Sequence, residues 1–190
     1  MKKIVVACIL AVLPLLADDI QTLKDDLQTR VNTITGYLSN AGLNKAQKNE
    51  KILETVEPVL DFTLMSKLSL DKNVRLKMSE EQLKEFGVLF EKELKDSFLH
   101  KLENYSNEKI ELRTGSKTQP NRIAISSVIK GKNEDMEVIF KYYLAPENLW
   151  KIYDLEIAGV SLIQTYRTQF SEVMASSGAV KLLEKLRTKQ

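Results

Sequence analysis

The chain has 190 residues, 43% of them hydrophobic and 28% charged, with a formal net charge of +2. That is enough apolar material for one compact domain, and it excludes a disordered tail, a collagen-like fibre and a disulfide scaffold. One cysteine and one histidine argue against a zinc site, and a near-neutral charge gives no global pull on nucleic acid.

The first 17 residues have the parts of an export signal. Lys2 and Lys3 are followed by an apolar run from Ile4 to Leu16, then Ala17 at a cleavage position and Asp18 and Asp19 beyond it. The apolar run is shorter than the roughly 20 residues a membrane span requires. Residues 1–17 are therefore expected to be a cleaved signal peptide, and residues 18–190 a single domain. Removing Lys2 and Lys3 leaves 26 basic residues (28 − 2) against 26 acidic ones. Cys8 leaves with the signal, and a thiol-free mature chain suits an oxidising compartment such as the periplasm.

The mature segment opens with a helical stripe: Ile20, Leu23, Leu27, Val31, Ile34 and Leu38 recur at steps of three and four. Asn40, Ala41 and Gly42 end it. A second helix is expected from about Asn44 to Val56, stopping near Pro58, and a short segment follows through Asp61, Phe62 and Met65. Ser79 and Gln82 have capping-box spacing and open the longest helix, whose stripe is Leu83, Phe86, Phe90, Leu94, Phe98, Leu102 and Tyr105.

The period then changes from helix to strand. Four strands are expected: one holding Ile110 and Leu112, then Arg122 to Lys130, Met136 to Ala145 and Leu149 to Ile157. Short turns between them imply antiparallel pairing. Val138, Phe140, Tyr142 and Leu144 share one face of the third strand; Leu149, Tyr153, Leu155 and Ile157 share one face of the fourth. Gly159 breaks the last strand. Ser161 caps a helix carrying Ile163, Tyr166, Phe170 and Val173 that ends at Gly178, and a final helix carries Val180, Leu183 and Leu186. The fold class is α+β: a curved antiparallel sheet of about four strands packed against several helices, cone-like, with an internal apolar pocket.

Reactive residues are sparse. His100 sits off the apolar stripe and reads as solvent-facing. Gly159, Val160 and Ser161 lack the second glycine of a nucleophile elbow, since Ile163 occupies that position. Asp154 and Glu156 lie two apart on a strand and share a face, as catalytic carboxylates or, more simply, as partners in salt bridges. No catalytic residue, metal site or cofactor is expected. What stands out is collective: the long helix, the third strand and the helix after Ser161 all present large apolar side chains, which a curved sheet can gather around a hollow.

The run Trp150, Lys151, Ile152, Tyr153, Asp154, Leu155, Glu156, Ile157, Ala158, Gly159, Val160, Ser161, followed by Tyr166, Arg167 and Phe170, resembles the MlaC family of periplasmic phospholipid carriers, also called toluene-tolerance auxiliary proteins. Glu57, Pro58, Val59, Leu60, Asp61 and Phe62 with Met65, and the helix opened by Ser79, are similar to that family as well. The aromatic residue that the family usually carries before the long helix is replaced by Asn73, Val74 and Arg75.

The resemblance implies a monomeric carrier that moves phospholipid between an outer-membrane lipoprotein–porin complex and an inner-membrane ABC transporter bearing MCE domains. Such a carrier maintains outer-membrane lipid asymmetry. Under that reading the acyl tails lie between the sheet and the long helix, lined by Phe86, Phe90, Phe98, Ile125, Val138, Phe140, Tyr142, Val160, Ile163, Tyr166 and Phe170. Arg167 faces the headgroup phosphate or forms an internal ion pair. The alternatives are a periplasmic adaptor with a solid core, a carrier of another apolar ligand, and an enzyme on a similar cone-shaped fold.

Overall fold

The computed structural model describes residues 13–103, 105, 108–131 and 134–188. Helix α1 runs Leu13–Ser39 and α2 Lys45–Val56, followed by a 3-10 turn Glu57–Val59. Then come α3 Phe62–Leu68, α4 Lys72–Arg75 and α5 Glu80–Glu103. Strands β1 Lys109–Gln119, β2 Arg122–Lys130, β3 Met136–Leu144, β4 Trp150–Ile157 and β5 Val160–Ser161 follow, and α6 Leu162–Thr188 closes the chain. The expected signal peptide falls largely on residues 1–12, outside the described residues. Among the described residues, no helix is long and apolar enough to cross a membrane.

The sheet is a five-stranded antiparallel meander in the order β1-β2-β3-β4-β5. The class is α+β, with one strand more than the four expected. The extra strand is a two-residue piece whose Ser161 still caps the helix beyond it, accepting the Gln164 amide at 3.1 Å. The strand begun by Ile110 and Leu112 continues to Gln119 through polar residues, because β1 is an edge strand and little of it is covered.

Two separate cores hold the molecule together. In the first, α1 lies on the sheet: Leu23 and Leu27 pack with Ile123, Ile125, Tyr142 and Ile152. In the second, α5, α3 and α6 pack on one another through Met65, Phe86, Phe90, Leu94, Ile163, Tyr166, Phe170 and Leu183. Both ends of this helical core are set by local chemistry. Ser79 Oγ accepts the Gln82 amide and Gln82 Oε1 accepts the Ser79 amide, closing the expected capping box at 3.2 and 3.0 Å. Gly178 adopts φ 75°, a conformation that suits glycine, and the bend there turns Leu182, Leu183 and Leu186 back onto the same core.

The two cores meet along β4. Leu60 forms a parallel bridge with Ile152, and the Asp61 amide donates to Ile152 O at 3.0 Å. Asp61 caps α3 by accepting the Leu64 amide at 2.8 Å, while its second oxygen accepts from the Tyr143 hydroxyl.

A bulge corrects the expected face of β4. Lys141 pairs with Asp154 but Tyr142 pairs with Ile152, so Tyr153 is an extra residue on β4. One added residue reverses the alternation. Ile152 enters the core beside Tyr142, and Tyr153 turns to Tyr143 and Arg122, whose guanidinium lies 4.4 Å from the Tyr153 ring centre. Leu149 is exposed.

Candidate functional site

The residues expected to line one apolar space divide between the two cores. Ile125, Phe140 and Tyr142 belong to the layer between α1 and the sheet, and Val138 is buried on the same strand. Phe86, Phe90, Ile163, Tyr166 and Phe170 belong to the helical core instead. There Phe90 sits 5.6 Å from Phe86, 5.0 Å from Tyr166 and 5.7 Å from Phe170, ring centre to ring centre. Phe98 is half-buried farther along α5, and Val160 is 60% exposed. The difference arises because α1, not α5, covers the sheet. Arg167 donates to Leu68 O at 2.8 Å, tying α6 to the last turn of α3.

Between α1, Tyr105 and β1 lies an open cavity of about 660 Å³. Its lining includes Gln28, Val31, Asn32 and Thr35 from α1, and Ile110, Leu112 and Arg113 from β1. Val31 and Leu112 also pack against the α1–sheet core, so the cavity floor is continuous with that apolar layer. Its volume falls in the usual range for a ligand site.

Helix α1 is pressed against the sheet at one end and stands away at the other. At Gly115 a Cβ would overlap Ile20 Cγ2, so a larger residue there forces the Ile20 side chain or the helix away from β1. Farther along, the cavity separates the Gln28–Thr35 stretch from β1. In the sequence Val31 and Tyr105 belong to helical apolar stripes and Ile110 and Leu112 to a strand, with nothing in their period to mark a cavity. The signal that marks this place is polar: Gln28, Asn32 and Thr35 recur at steps of four and three, alongside Leu27 and Val31. Gln28 donates to Asn32 at 2.9 Å, which holds that polar row along one side of the opening. The Tyr105 hydroxyl donates to Glu108 O at 2.9 Å; burial and the nearby Glu108 charge raise its pKa above the ordinary tyrosine value.

The reactive candidates are engaged elsewhere. Asp154 is buried and accepts from Ser161 Oγ at 2.7 Å, from the Ile163 amide at 3.1 Å and from Lys141 Nζ at 3.2 Å. Lys141 also pairs with Glu156 at 2.8 Å, so the two carboxylates share a cation. Burial works against the charged form of Lys141, but bonding to Glu156 and Asp154 outweighs it, and the net shift is upward. His100 is largely exposed, 3.9 Å from Glu103. Among the described residues, no group of three or more histidine, cysteine or acidic side chains is placed to hold a metal ion.

Comparison with known proteins places this geometry. The sequence profile of the MlaC protein family matches residues 26–188. The toluene tolerance protein Ttg2D of Pseudomonas putida is 24% identical over 177 residues, covering 90% of this chain and 81% of that protein. The solved structure of a phospholipid-binding protein from Ralstonia solanacearum, in complex with a phospholipid, superposes with a TM-score of 0.72 at 20% identity. The match covers 86% of this chain and 94% of that one, and so shares its fold.

Proposed function

This chain belongs to the MlaC family, and we propose that it is a periplasmic phospholipid carrier that binds its cargo without chemical change. The observation that carries the proposal is the cavity beside β1, whose apolar floor at Val31, Ile110 and Leu112 runs into the α1–sheet layer. A polar row on one side and an apolar floor on the other fit a molecule with a wet headgroup and long tails.

The energetics require a carrier. Each buried methylene is worth about 0.8 kcal/mol, so two long acyl chains in water cost roughly 20 kcal/mol or more. A protein that lifts them from one membrane and yields them to another has to match that burial closely. In the proposed binding mode the tails enter past Val31 and Leu112 toward Phe140, Ile125 and Tyr142. That layer is packed beyond Leu27, so α1 moves away from the sheet as the tails enter. Phe86, Phe90, Tyr166 and Phe170 stay packed in the separate helical core. The proposed route joins an outer-membrane lipoprotein–porin complex to an inner-membrane ABC transporter bearing MCE domains, with residues 1–17 removed on export.

The test is native mass spectrometry of protein exported and purified without detergent. One phospholipid per chain is expected. Val31→Glu should reduce the retained lipid severalfold while circular dichroism stays unchanged. A folded wild-type protein with a lipid-free mass, after exposure to phospholipid vesicles, refutes the carrier reading and favours an adaptor with a solid core.

A further inference from the structure

The rim of the cavity carries four charges on consecutive or alternating positions: Glu108, Lys109, Glu111 and Arg113. They sum to zero. Glu111 stands at the centre, 2.9 Å from Lys109 Nζ and 2.8 Å from Arg113 Nη2. The β1 register slips between Leu112 and Gly115, so Arg113 and Thr114 together face Ser126. Such a bulge re-aims a side chain, here Arg113 at the mouth of the cavity.

We propose that this rim selects phospholipids whose headgroup carries both a phosphodiester and an ammonium. Arg113 receives the phosphate, and Glu111, still paired with Lys109, receives the ammonium. The inference rests on the phospholipid reading above and goes beyond it to the class of headgroup.

The argument is one of charge spacing and cost. Arg113 and Lys109 are about half and three-quarters exposed, so their pairs with Glu111 contribute little and exchange readily. A phosphodiester arriving over Val31 and Leu112 takes Arg113 in a charge-assisted bond. Glu111 is then left short of one cation, and an ammonium on the same headgroup replaces it. A glycerol headgroup brings the phosphate but only hydroxyls to Glu111. A phosphate monoester brings a further negative charge toward Glu108 and Glu111, which repel it. The zwitterion alone leaves every charge at the rim paired.

The experiment equilibrates the full exported protein with vesicles containing equal amounts of phosphatidylethanolamine and phosphatidylglycerol. Bound lipid is then read by mass spectrometry. Wild type is expected to enrich the ethanolamine lipid by about threefold to fivefold, the size of one exposed ion pair. Glu111→Gln should abolish the preference, and Glu111→Lys should reverse it, read as the ratio of the two lipids bound. Full occupancy with the same headgroup ratio in wild type and both variants overturns the inference and leaves the carrier reading standing. A wild-type protein that takes up neither lipid overturns the carrier reading, and this inference with it.

Discussion

Asp154→Ala tests how the sheet holds α6. The carboxylate is 5% exposed and accepts three bonds: from Ser161 Oγ, the Ile163 amide and Lys141 Nζ. Truncation leaves the buried Ile163 N–H without its acceptor, while Lys141 keeps Glu156 at 2.8 Å. Breaking a buried charge pair costs about 3–5 kcal/mol, and the surviving Glu156 contact sets the expectation at the lower end, about 3 kcal/mol. For a protein of this size each kcal/mol moves Tm by about 2–4 °C, so a fall of about 6–12 °C is expected. Asp154→Asn retains an acceptor for the amide and should lose only about 1 kcal/mol. Glu156→Gln, at the more exposed position, should stay within about 1 kcal/mol of wild type. Urea unfolding followed by circular dichroism measures all three, with the slope m checking that the compared states are alike. Equal losses for Asp154→Ala and Glu156→Gln would refute the reasoning, because they would show that exposed charge and not buried bonding holds the helix.

The close approach of α1 to β1 predicts that Gly115→Ala destabilises by about 1–3 kcal/mol, and that adding Ile20→Ala recovers part of the loss. Strict additivity in that double-mutant cycle would place the clash elsewhere. Phe90→Ala removes a fully buried ring among three others and should cost about 3–5 kcal/mol, read from the urea midpoint, with bound lipid unchanged at temperatures where the protein remains folded. Burial, then the hydrogen bond to Asp61, pushes the Tyr143 hydroxyl up to about 12. A raised folded pKa on this group gives stability present below the unfolded value near 10 and lost as pH rises toward 12. Stability measured across that window should fall, and Tyr143→Phe should flatten the fall; an identical slope in the variant would remove Tyr143 from the account.

Much of the fold is legible because hydrophobic period reports burial. Strand β2 matches its expected bounds and alternates cleanly over a covered face, and β3 ends one residue early with Val138 and Tyr142 buried on one face. Capping-box spacing places the start of α5 at Ser79, and the structure adds the same reciprocal cap at Asn44 before α2. The Tyr153 bulge was not legible, since an inserted residue changes which face each neighbour occupies without changing composition. The second half of β1 was not legible either: Arg113, Thr114, Ser116, Lys117 and Thr118 read as loop, and only an edge position makes them a strand. The candidate site was half legible. Phe140, Tyr142 and Ile125 were recognised as a shared apolar surface, but periodicity says that a stripe is covered and not which helix covers it. Both α1 and α5 carry a stripe of suitable length; α5 is richer in aromatic rings, and those rings fill one another's edges in a core of their own.

That division matters for a carrier. A layer that parts to take up acyl chains gives up its own apolar contacts each time, and a protein with a single core would approach unfolding whenever it was empty. Here the contacts divide. Leu23, Leu27 and Val31 hold α1 to the sheet through a modest number of aliphatic groups, whereas Phe86, Phe90, Tyr166 and Phe170 lock the helices together without them. The joint along β4 is short-range: Leu60 packs on both cores, and the rest is polar, Asp61 to Tyr143 and Ile152 and Asp154 to the first turn of α6. Bonds of that kind fix position without contributing much to a shared core, so the proposed binding mode asks α1 to part from the sheet while the helical core and the β4 joint keep their geometry. Under the proposed binding mode the Ile20–Gly115 contact, on the N-terminal side of the Gln28–Thr35 stretch that lines the cavity, is the natural pivot of that movement.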